Sequence, residues 1–363
     1  MGMPNISISF SEVASTAIQR GDRGIIALIL KDKTYKSQAK EFLTEGDIPN
    51  NITAANKEQI KLAMIGYENK PKKVVVYFLD PVAEDYTDAF NYFEVNKFNI
   101  MAVPTVATDG RTSDVVTFIK KLRENGQKVK AVLPNTAADC EGIINYTTEK
   151  VMNEDTEYST EQYCSRIAGI IAGTPMRISC TFAALPELTD CTKLTKTDMD
   201  KAVDNGEFIV WWDGEKVKTG RAVTSFKTKT SEKGDKFKKI KIVDTTDMIF
   251  EDIKKTAEDS YLGKYENSYD NKTLLISAIM TYFERLKNEK ILGSYNVEID
   301  VDANRDYLMS VGGDVKIDGG ETKALADCSD DDIKKADTGD QVFLKAEVNI
   351  YDAIENITLP ISI

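Results

Sequence analysis

KVVVYFL, residues 73–79, is an almost unbroken apolar run. Runs of this length are typical of strands that are buried on both faces, as in a parallel sheet covered by helices. Similar runs occur at residues 24–30 (GIIALIL), 99–104 (NIMAVP) and 129–133 (VKAVL), and a shorter one at residues 142–146. We interpret these segments as the strands of one sheet.

Between these strands, apolar residues recur at helical spacing. The three clearest sets are Tyr86, Ala89, Phe90 and Phe93; Val115, Ile119 and Leu122; and Tyr163, Ile167, Ile170 and Ile171. Strands that alternate with helices predict a three-layer α/β domain with a largely parallel sheet. We assign this domain to residues 21–196.

The strict alternation ends near residue 197. FIVWW at residues 208–212 and KVKT at residues 216–219 flank an Asp-Gly turn and predict a β-hairpin. The other predicted elements are strands at residues 222–226, 240–243 and 295–301, helices at residues 198–205, 246–261 and 273–290, and an acidic loop at residues 324–340. This pattern predicts an α+β domain over residues 197–351, so the fold class is α/β plus α+β.

Residues 342–363 alternate between apolar and polar side chains, with a break at Asp352 and Ala353. The part before the break predicts a strand of the domain's own sheet, with one buried face. The apolar positions after the break are Ile357, Leu359, Ile361 and Ile363. Because Pro360 cannot donate to a ladder, residues 352–363 fit a C-terminal arm offered to a sheet edge, in the same molecule or a neighbour.

The N-terminus repeats the pattern, since Ile6, Ile8 and Phe10 alternate with serines. It predicts an extended N-terminal arm over residues 1–20. One alternative is that both arms pair within their own domain, as ordinary terminal strands do. Two such ends favour exchange between subunits, because a chain that both donates and accepts a strand can build a continuous polymer. The apolar residues of the two arms are therefore the predicted inter-subunit interface.

Composition narrows the function classes. The net charge of −12 disfavours a nucleic-acid partner. No apolar run is long enough to cross a membrane, and MGMPNISISF lacks the regions of a secretion signal, so we expect no membrane contact by this chain. The absence of histidine removes Ser-His-Asp systems and His-based zinc sites. Catalysis by carboxylates or lysine stays possible, but an enzyme is less favoured, and we predict no catalytic, cofactor-binding or metal residues. Five cysteines without CxxC spacing predict reduced, mostly buried thiols.

The alternative function is a cytosolic α/β enzyme or ligand-binding protein that uses residues 71–175. Asp80 or Asp109 would then supply a carboxylate to the site. Neither GxGxxG nor GxxxxGK[ST] follows a predicted strand, which counts against nucleotide binding. A turn or helix cap is the favoured role of Asp80, because a proline follows it.

Seven lysines lie between residues 227 and 241. Aromatic residues are too few there for a nucleic-acid stacking platform, so a solvated hairpin loop is favoured. A further hypothesis pairs these lysines with acidic residues 327–332 of a neighbouring copy. Steep salt dependence of assembly would support this pairing, and indifference to salt would exclude it.

Several segments, taken together and in this order, resemble contractile tail sheath proteins of myophages and of phage-tail-like bacteriocins from Gram-positive bacteria. They are RGIIAL at residues 23–28, NIMAVP at 99–104, RIAGIIAGTPM at 166–176, GRAVTS at 220–225, KKIKIV at 238–243, DMIFED at 247–252, and the closing residues 348–363. The lysine-rich segment and the acidic loop match no motif of that family.

The resemblance implies a structural, homo-oligomeric protein and not an enzyme. Subunits of such sheaths stack as hexameric rings around a tail tube, and their arms join the sheets of neighbours. A baseplate signal then triggers a contraction that drives the tube through a cell envelope. The implied partners are tail tube, baseplate and tail terminator proteins, with no cofactor, in a virion or phage-tail-like particle assembled in the bacterial cytoplasm. A third interpretation, a tube or baseplate component, is disfavoured by the size and two-domain pattern.

Overall fold

The computed structural model describes residues 17–21, 23–318 and 320–362, which fall into two compact units. Among the described residues, the large unit comprises residues 23–248 and 352–362, and the small unit comprises residues 17–21 and 249–351. The division therefore lies after Met248, and not at residue 196 as the sequence pattern predicts. The reason is that the strand Glu207–Phe208 joins the sheet of the large unit.

The strands of the large unit are β1 (Ile25–Lys31), β2 (Gln38–Phe42), β3 (Lys73–Leu79), β4 (Ile100–Ala102), β5 (Lys130–Pro134), β6 (Ile143–Tyr146), β7 (Lys150–Asn153), β8 (Thr156–Ser159), β9 (Asp190–Cys191), β10 (Glu207–Phe208), β11 (Val210–Trp212) and β12 (Val217–Thr219). Its helices are α1 (Ala54–Ile65), α2 (Thr87–Val95), α3 (Thr112–Glu124), α4 (Thr160–Ala172), α5 (Lys196–Asp204) and the first part of α6 (Ile240–Ser260).

A seven-stranded sheet in the order β10-β6-β5-β4-β1-β3-β2 forms the centre of the large unit. Its edge strand β2, which the sequence pattern does not predict, is antiparallel to β3. The other pairings are parallel, which agrees with the predicted largely parallel sheet. Alternate residues of β1 face opposite sides. Ile26 and Leu28 pack in a cluster with residues of α1 and α4, whereas Ile25 and Ala27 pack with residues of α2 and α3.

Gly169 permits the close approach of α4 to α1. A Cβ atom at this position would lie 2.5 Å from the carbonyl oxygen of Ala63, which is well inside van der Waals contact. The glycine in this helix is therefore explained by close packing and not by a phosphate-binding loop.

A buried group of charges fixes the start of α6. The guanidinium of Arg123 donates to both carboxylate oxygens of Asp247, each at 2.9 Å. Lys130 Nζ lies 2.7 Å from Asp244 and 3.1 Å from Asp247. Arg123 also contacts Glu141 at 3.2 Å. This group joins α3 and β5 to the first turns of α6 within the large unit.

The predicted strand at residues 240–243 is wrong, because α6 already begins at Ile240. Alternation of Ile240 and Ile242 with lysines imitates the period of a strand. The inward-facing positions Val243 and Asp247 follow the helical spacing instead, and both are buried.

The two carboxyl groups of α6 have opposite pKa shifts. Burial alone would raise the pKa of Asp247, but the charges of Lys130 and Arg123 lower it. For Asp244, burial outweighs the attraction of Lys130 and the pKa is raised. A lowered pKa in the folded state stabilises the fold at neutral pH, and a raised carboxyl pKa opposes folding there. Ionised Asp247 therefore favours the folded state, and ionised Asp244 does not.

The β11–β12 hairpin forms with the predicted Asp-Gly turn. Two neighbouring predictions are wrong. Residues 222–226 are not a strand, because only Val223 makes a bridge, to Lys239. Residues 227–241 are not a hairpin either, since the short 3-10 helix Asp235–Lys238 and the start of α6 lie within them.

The small unit contains the rest of α6, then α7 (Tyr269–Asn288), β13 (Leu292–Ile299), α8 (Val301–Val311), β14 (Val315–Lys316), β15 (Thr322–Lys323), α9 (Asp330–Lys334) and β16 (Leu344–Ile350). The sequence pattern predicts neither α8 nor α9. The predicted acidic loop instead contains a capped helix, because Ser329 accepts a hydrogen bond from the Asp332 amide. Ile333 and Ala336 of this region are buried in a small apolar cluster.

All five cysteines are buried, unpaired thiols, as predicted. Burial raises the pKa of each, which keeps the thiol protonated.

Asp247→Asn tests the role of the buried charges. It removes the bidentate partner of buried Arg123, which keeps only Glu141, and leaves Lys130 with Asp244, whose ionised form is disfavoured by burial. We therefore expect a loss of about 3–5 kcal/mol in the free energy of unfolding. Asp244→Asn is the matched control and should cost less than about 1.5 kcal/mol, because Lys130 keeps Asp247. Urea unfolding followed by circular dichroism measures both. Equal losses would contradict the assigned role of Asp247.

Candidate functional site

The predicted interface residues are distributed as follows. Ile6, Ile8, Phe10 and Ile363 lie outside the described residues. Ile357, Leu359 and Ile361 are described, and their exposed fractions are 84%, 74% and 77%. Exposure of single apolar side chains is ordinary, but three at alternate positions of one segment form an uncovered apolar edge.

The residues before the break form a strand, as predicted, but their buried face does not form. β16 pairs antiparallel with β13, with Val348 opposite Tyr295 and Ala346 opposite Val297. Most of β16 is exposed, although Val297 and Ile299 of β13 are buried. The apolar face is therefore covered along β13 and left open along β16.

The cover over β13 comes from α7. The rings of Phe283 and Tyr295 lie 5.7 Å apart, and the Tyr295 hydroxyl donates to Glu284 at 2.6 Å. Among the described residues, β16 pairs with β13 only, so its other edge carries no strand. Two-stranded sheets are marginally stable by themselves, and a strand with an open edge is a template for another strand.

The first residues after β16, which we call the root of the C-terminal arm, are held by ion pairs and hydrogen bonds within the large unit. The Glu355 carboxylate lies 3.0 Å from Lys239 Nζ and 3.3 Å from Arg221 Nε, and it accepts a hydrogen bond from the Thr181 hydroxyl at 2.8 Å. Only 5% of the Glu355 side chain is exposed. We call the contacts of Glu355 and Asp352 with Lys239, Arg221 and Thr181 the arm-root cluster.

Lys239 joins both carboxylates of the arm-root cluster. Its Nζ lies 2.5 Å from Asp352 as well as 3.0 Å from Glu355. Burial disfavours the ammonium charge, but the hydrogen bonds to Asp352 and Glu355 outweigh burial and raise the pKa of Lys239. Lys239 therefore stays charged wherever these carboxylates are ionised.

The N-terminal residues that the structure describes are also anchored. Within the small unit, Ile18 is buried and its carbonyl accepts from Arg285 at 3.2 Å. The Gly21 amide donates to Asp252 at 2.8 Å, and Arg20 pairs with Glu289 at 2.6 Å. Residues 17–21 are thus tied to α6 and α7.

Neither carboxylate of the alternative function has the surroundings of a catalytic group. Asp80 accepts from the Val82 amide in a turn and pairs with Lys36 at 2.9 Å, and these contacts lower its pKa. Asp109 accepts from Lys31 at 2.9 Å and from Tyr86 at 2.6 Å. Burial alone would raise the pKa of Asp109, but those hydrogen bonds lower it. Both groups are ionised structural acceptors.

Two open grooves of the large unit have volumes of about 700 and 540 Å³. Neither groove is lined by Asp80 or Asp109. In the described part of the chain, no group of three or more Cys, Asp or Glu side chains is placed to hold a metal ion. No described helix combines the length and the apolar character that a membrane span requires.

The lysine-rich segment and the acidic segment have partners within the chain. Lys229 and Lys238 pair with Asp235, and Lys233 pairs with Glu141. Asp331 and Asp332 pair with Lys335 and Lys323 respectively. These intramolecular pairs give the hypothesis of pairing between copies no support.

The arm-root cluster is not predicted from the sequence. There, Lys239 is one of several lysines expected to be solvated, and Asp352 is part of a break in the alternation. The available signal was the pair of carboxylates at Asp352 and Glu355 between two alternating segments, because acidic residues at a strand break need cationic or solvent partners.

The comparisons with known proteins agree on one family. The model of the phage tail sheath protein central domain matches residues 81–225, and that of the phage tail sheath C-terminal domain matches residues 232–363. A tail sheath protein of Clostridium phage phiCD119 is 37% identical over 99% of this chain and 98% of its own length.

Two solved structures have the same fold. The sheath tail protein from Desulfitobacterium hafniense has a TM-score of 0.69 at 18% identity, over 83% of this chain and 94% of its own. The contracted helical sheath of the anti-feeding prophage has a TM-score of 0.69 at 13% identity, over 100% and 99% of the two chains. On the family matches and the full-length relative, this chain belongs to the phage tail sheath family.

Proposed function

We propose that this chain polymerises as stacked hexameric rings around a tail tube and contracts to drive the tube through a cell envelope. Its terminal arms add strands to the sheets of neighbouring copies. The tail tube, baseplate and tail terminator proteins are its further partners. The protein has a mechanical and not an enzymatic role, in a virion or phage-tail-like particle that is assembled in the bacterial cytoplasm.

Family membership supports the general role. The solved relatives include a helical sheath in its contracted state and a six-fold symmetrised baseplate, both from the anti-feeding prophage. We extend this kind of assembly to the present chain.

The observation that carries the proposal is the pairing of an open strand edge with an uncovered apolar arm. β16 has one open edge in the described chain, and Ile357, Leu359 and Ile361 are mostly exposed. Docking the arm of one copy on the β16 edge of another would satisfy both. About five new backbone hydrogen bonds would contribute about 0.5–1.5 kcal/mol each. Each buried Ile or Leu would contribute up to about 1.5–3 kcal/mol.

A strand joint of this kind suits a sheath that changes length. The joint keeps its hydrogen bonds while the globular parts of adjacent subunits rotate and exchange their other contacts. Flexibility is then required in a short linker beside the C-terminal arm, for which we propose residues 351–356. Because the contacts of Glu355 hold part of this linker, we place its flexible point outside those contacts.

A triple variant tests strand donation. It combines Ile357→Ser, Leu359→Ser and Ile361→Ser, and we call it the serine-arm variant. These side chains are exposed in the single chain, so the melting temperature should change by less than about 2 °C. Sheath assembly should fail, because the arm no longer has apolar groups to bury. Thermal melting and negative-stain electron microscopy of particles produced with the tail tube and baseplate measure the two effects.

Ser362→Ala is the matched control in the same arm, and it should assemble normally. Normal sheaths from the serine-arm variant would contradict strand donation. A large drop in melting temperature would instead show that the arm belongs to the core of its own subunit.

A further inference from the structure

The C-terminal segment changes character after Asn356. Asn356 and the carboxylates before it contact the large unit, with Arg221 donating to Asn356 Oδ1 at 3.3 Å. From residue 357 to residue 362 the described chain forms no hydrogen bond or ion pair, and its apolar side chains face solvent. The boundary between the anchored part of the segment and the part without such contacts therefore lies between residues 356 and 357.

We propose that Glu355 is a positioning residue, which fixes the root and direction of the C-terminal arm so that residues 357–362 are presented as a preordered strand to a second copy of this chain. This inference rests on the proposed function and adds to it the residue that controls strand donation. It also places the arm's point of flexion after Asn356 and not within residues 351–356.

The surroundings of Glu355 identify it as the centre of the anchor. Its partners Thr181, Arg221 and Lys239 come from three separate segments of the large unit. Thr181 is itself held in place, since its hydroxyl oxygen accepts from the Ala222 amide at 3.1 Å. A carboxylate with 5% exposure and two cationic neighbours has a defined position, which a solvated surface pair does not have.

Asp352 has a secondary part in the anchor. Its side chain is 43% exposed, and its one ion pair in the cluster is with Lys239. Lys239 keeps Glu355 when Asp352 is removed, whereas Arg221 loses its buried carboxylate when Glu355 is removed. The arm should therefore depend on Glu355 more than on Asp352.

Anchoring has a consequence for reach and affinity. Residues 357–362, fully extended, span about 20 Å at about 3.3 Å per residue, so the accepting edge must lie within that distance of Asn356. A fixed root also removes part of the ordering cost that binding otherwise incurs. Releasing the root should weaken strand donation without altering the accepting edge.

The test measures binding of a donor copy to an acceptor copy whose own arm is inactive. The serine-arm variant is immobilised as the acceptor, and full-length donors flow over it below their self-assembly concentration. Wild-type donor sets the reference, and serine-arm donor sets the baseline. We expect Glu355→Gln to weaken Kd at least about tenfold when it is in the donor, and less than about twofold when it is in the acceptor.

Two further donor variants test whether the effect on Kd is specific to the arm-root cluster. Arg221→Gln removes a partner from the opposite side of the cluster, and should weaken Kd in the donor in the same direction. Glu149→Gln removes an exposed carboxylate elsewhere on the large unit, and should leave Kd unchanged. Melting temperatures are recorded for every variant. If Glu355→Gln melts much lower than wild type, the Kd of the Arg221→Gln donor decides whether the cluster positions the arm. The Arg221 side chain is 37% exposed, so its replacement should disturb the fold less.

Equal effects in donor and acceptor, or no effect in the donor, would overturn the positioning role of Glu355 while leaving strand donation intact. Wild-type donor that binds no better than the serine-arm baseline would overturn strand donation itself, and the positioning role with it. The two failures are therefore distinguishable.

Discussion

The outer edge of β16 is the constraint from which the functional account follows. Backbone groups on an unpaired edge must bond to water or to another chain, and a two-stranded ribbon gains little stability by itself. α7 covers the apolar side chains of β13 and leaves those of β16 open. The same chain carries an apolar arm without cover, at Ile357, Leu359 and Ile361. The edge of β16 lacks a neighbouring strand, and the arm lacks a surface that would bury its apolar side chains.

The large unit supports this arrangement with two sets of charges, each centred on a buried carboxylate, Asp247 in one and Glu355 in the other. Arg123, Lys130 and Asp247 fix the first turns of α6 against α3 and β5. A smaller set, centred on Glu355, fixes the root of the arm. Buried ion pairs contribute little net stability against apolar replacements, but they define geometry, because breaking one leaves a charge without a partner. If the arm joins subunits as proposed, a defined geometry where the arm leaves the large unit would fix the direction in which it is offered.

Elements whose stability comes from a local apolar pattern can be predicted from the sequence, and contacts between distant residues cannot. In some elements the local pattern of apolar residues shows directly which side chains are buried. Examples are the strand Lys73–Leu79 and the apolar faces of α3 and α7, so the pattern predicts the parallel sheet and most helices. Residues 240–243 show the limit, because an alternating tetrapeptide fits a strand as well as the first turn of α6. Pairs such as Arg123 with Asp247 and Arg221 with Glu355 join residues more than a hundred positions apart. A single sequence gives no signal for such pairs, because charged residues are usually assigned to the surface.

Hydrogen–deuterium exchange tests strand donation most directly. Amides of residues 357–362, apart from Pro360, should exchange at nearly unprotected rates in the single subunit and become strongly protected in assembled sheath. The amides of β16 should gain protection at the same time. Rapid exchange of residues 357–362 in intact sheath would contradict strand donation by the C-terminal arm.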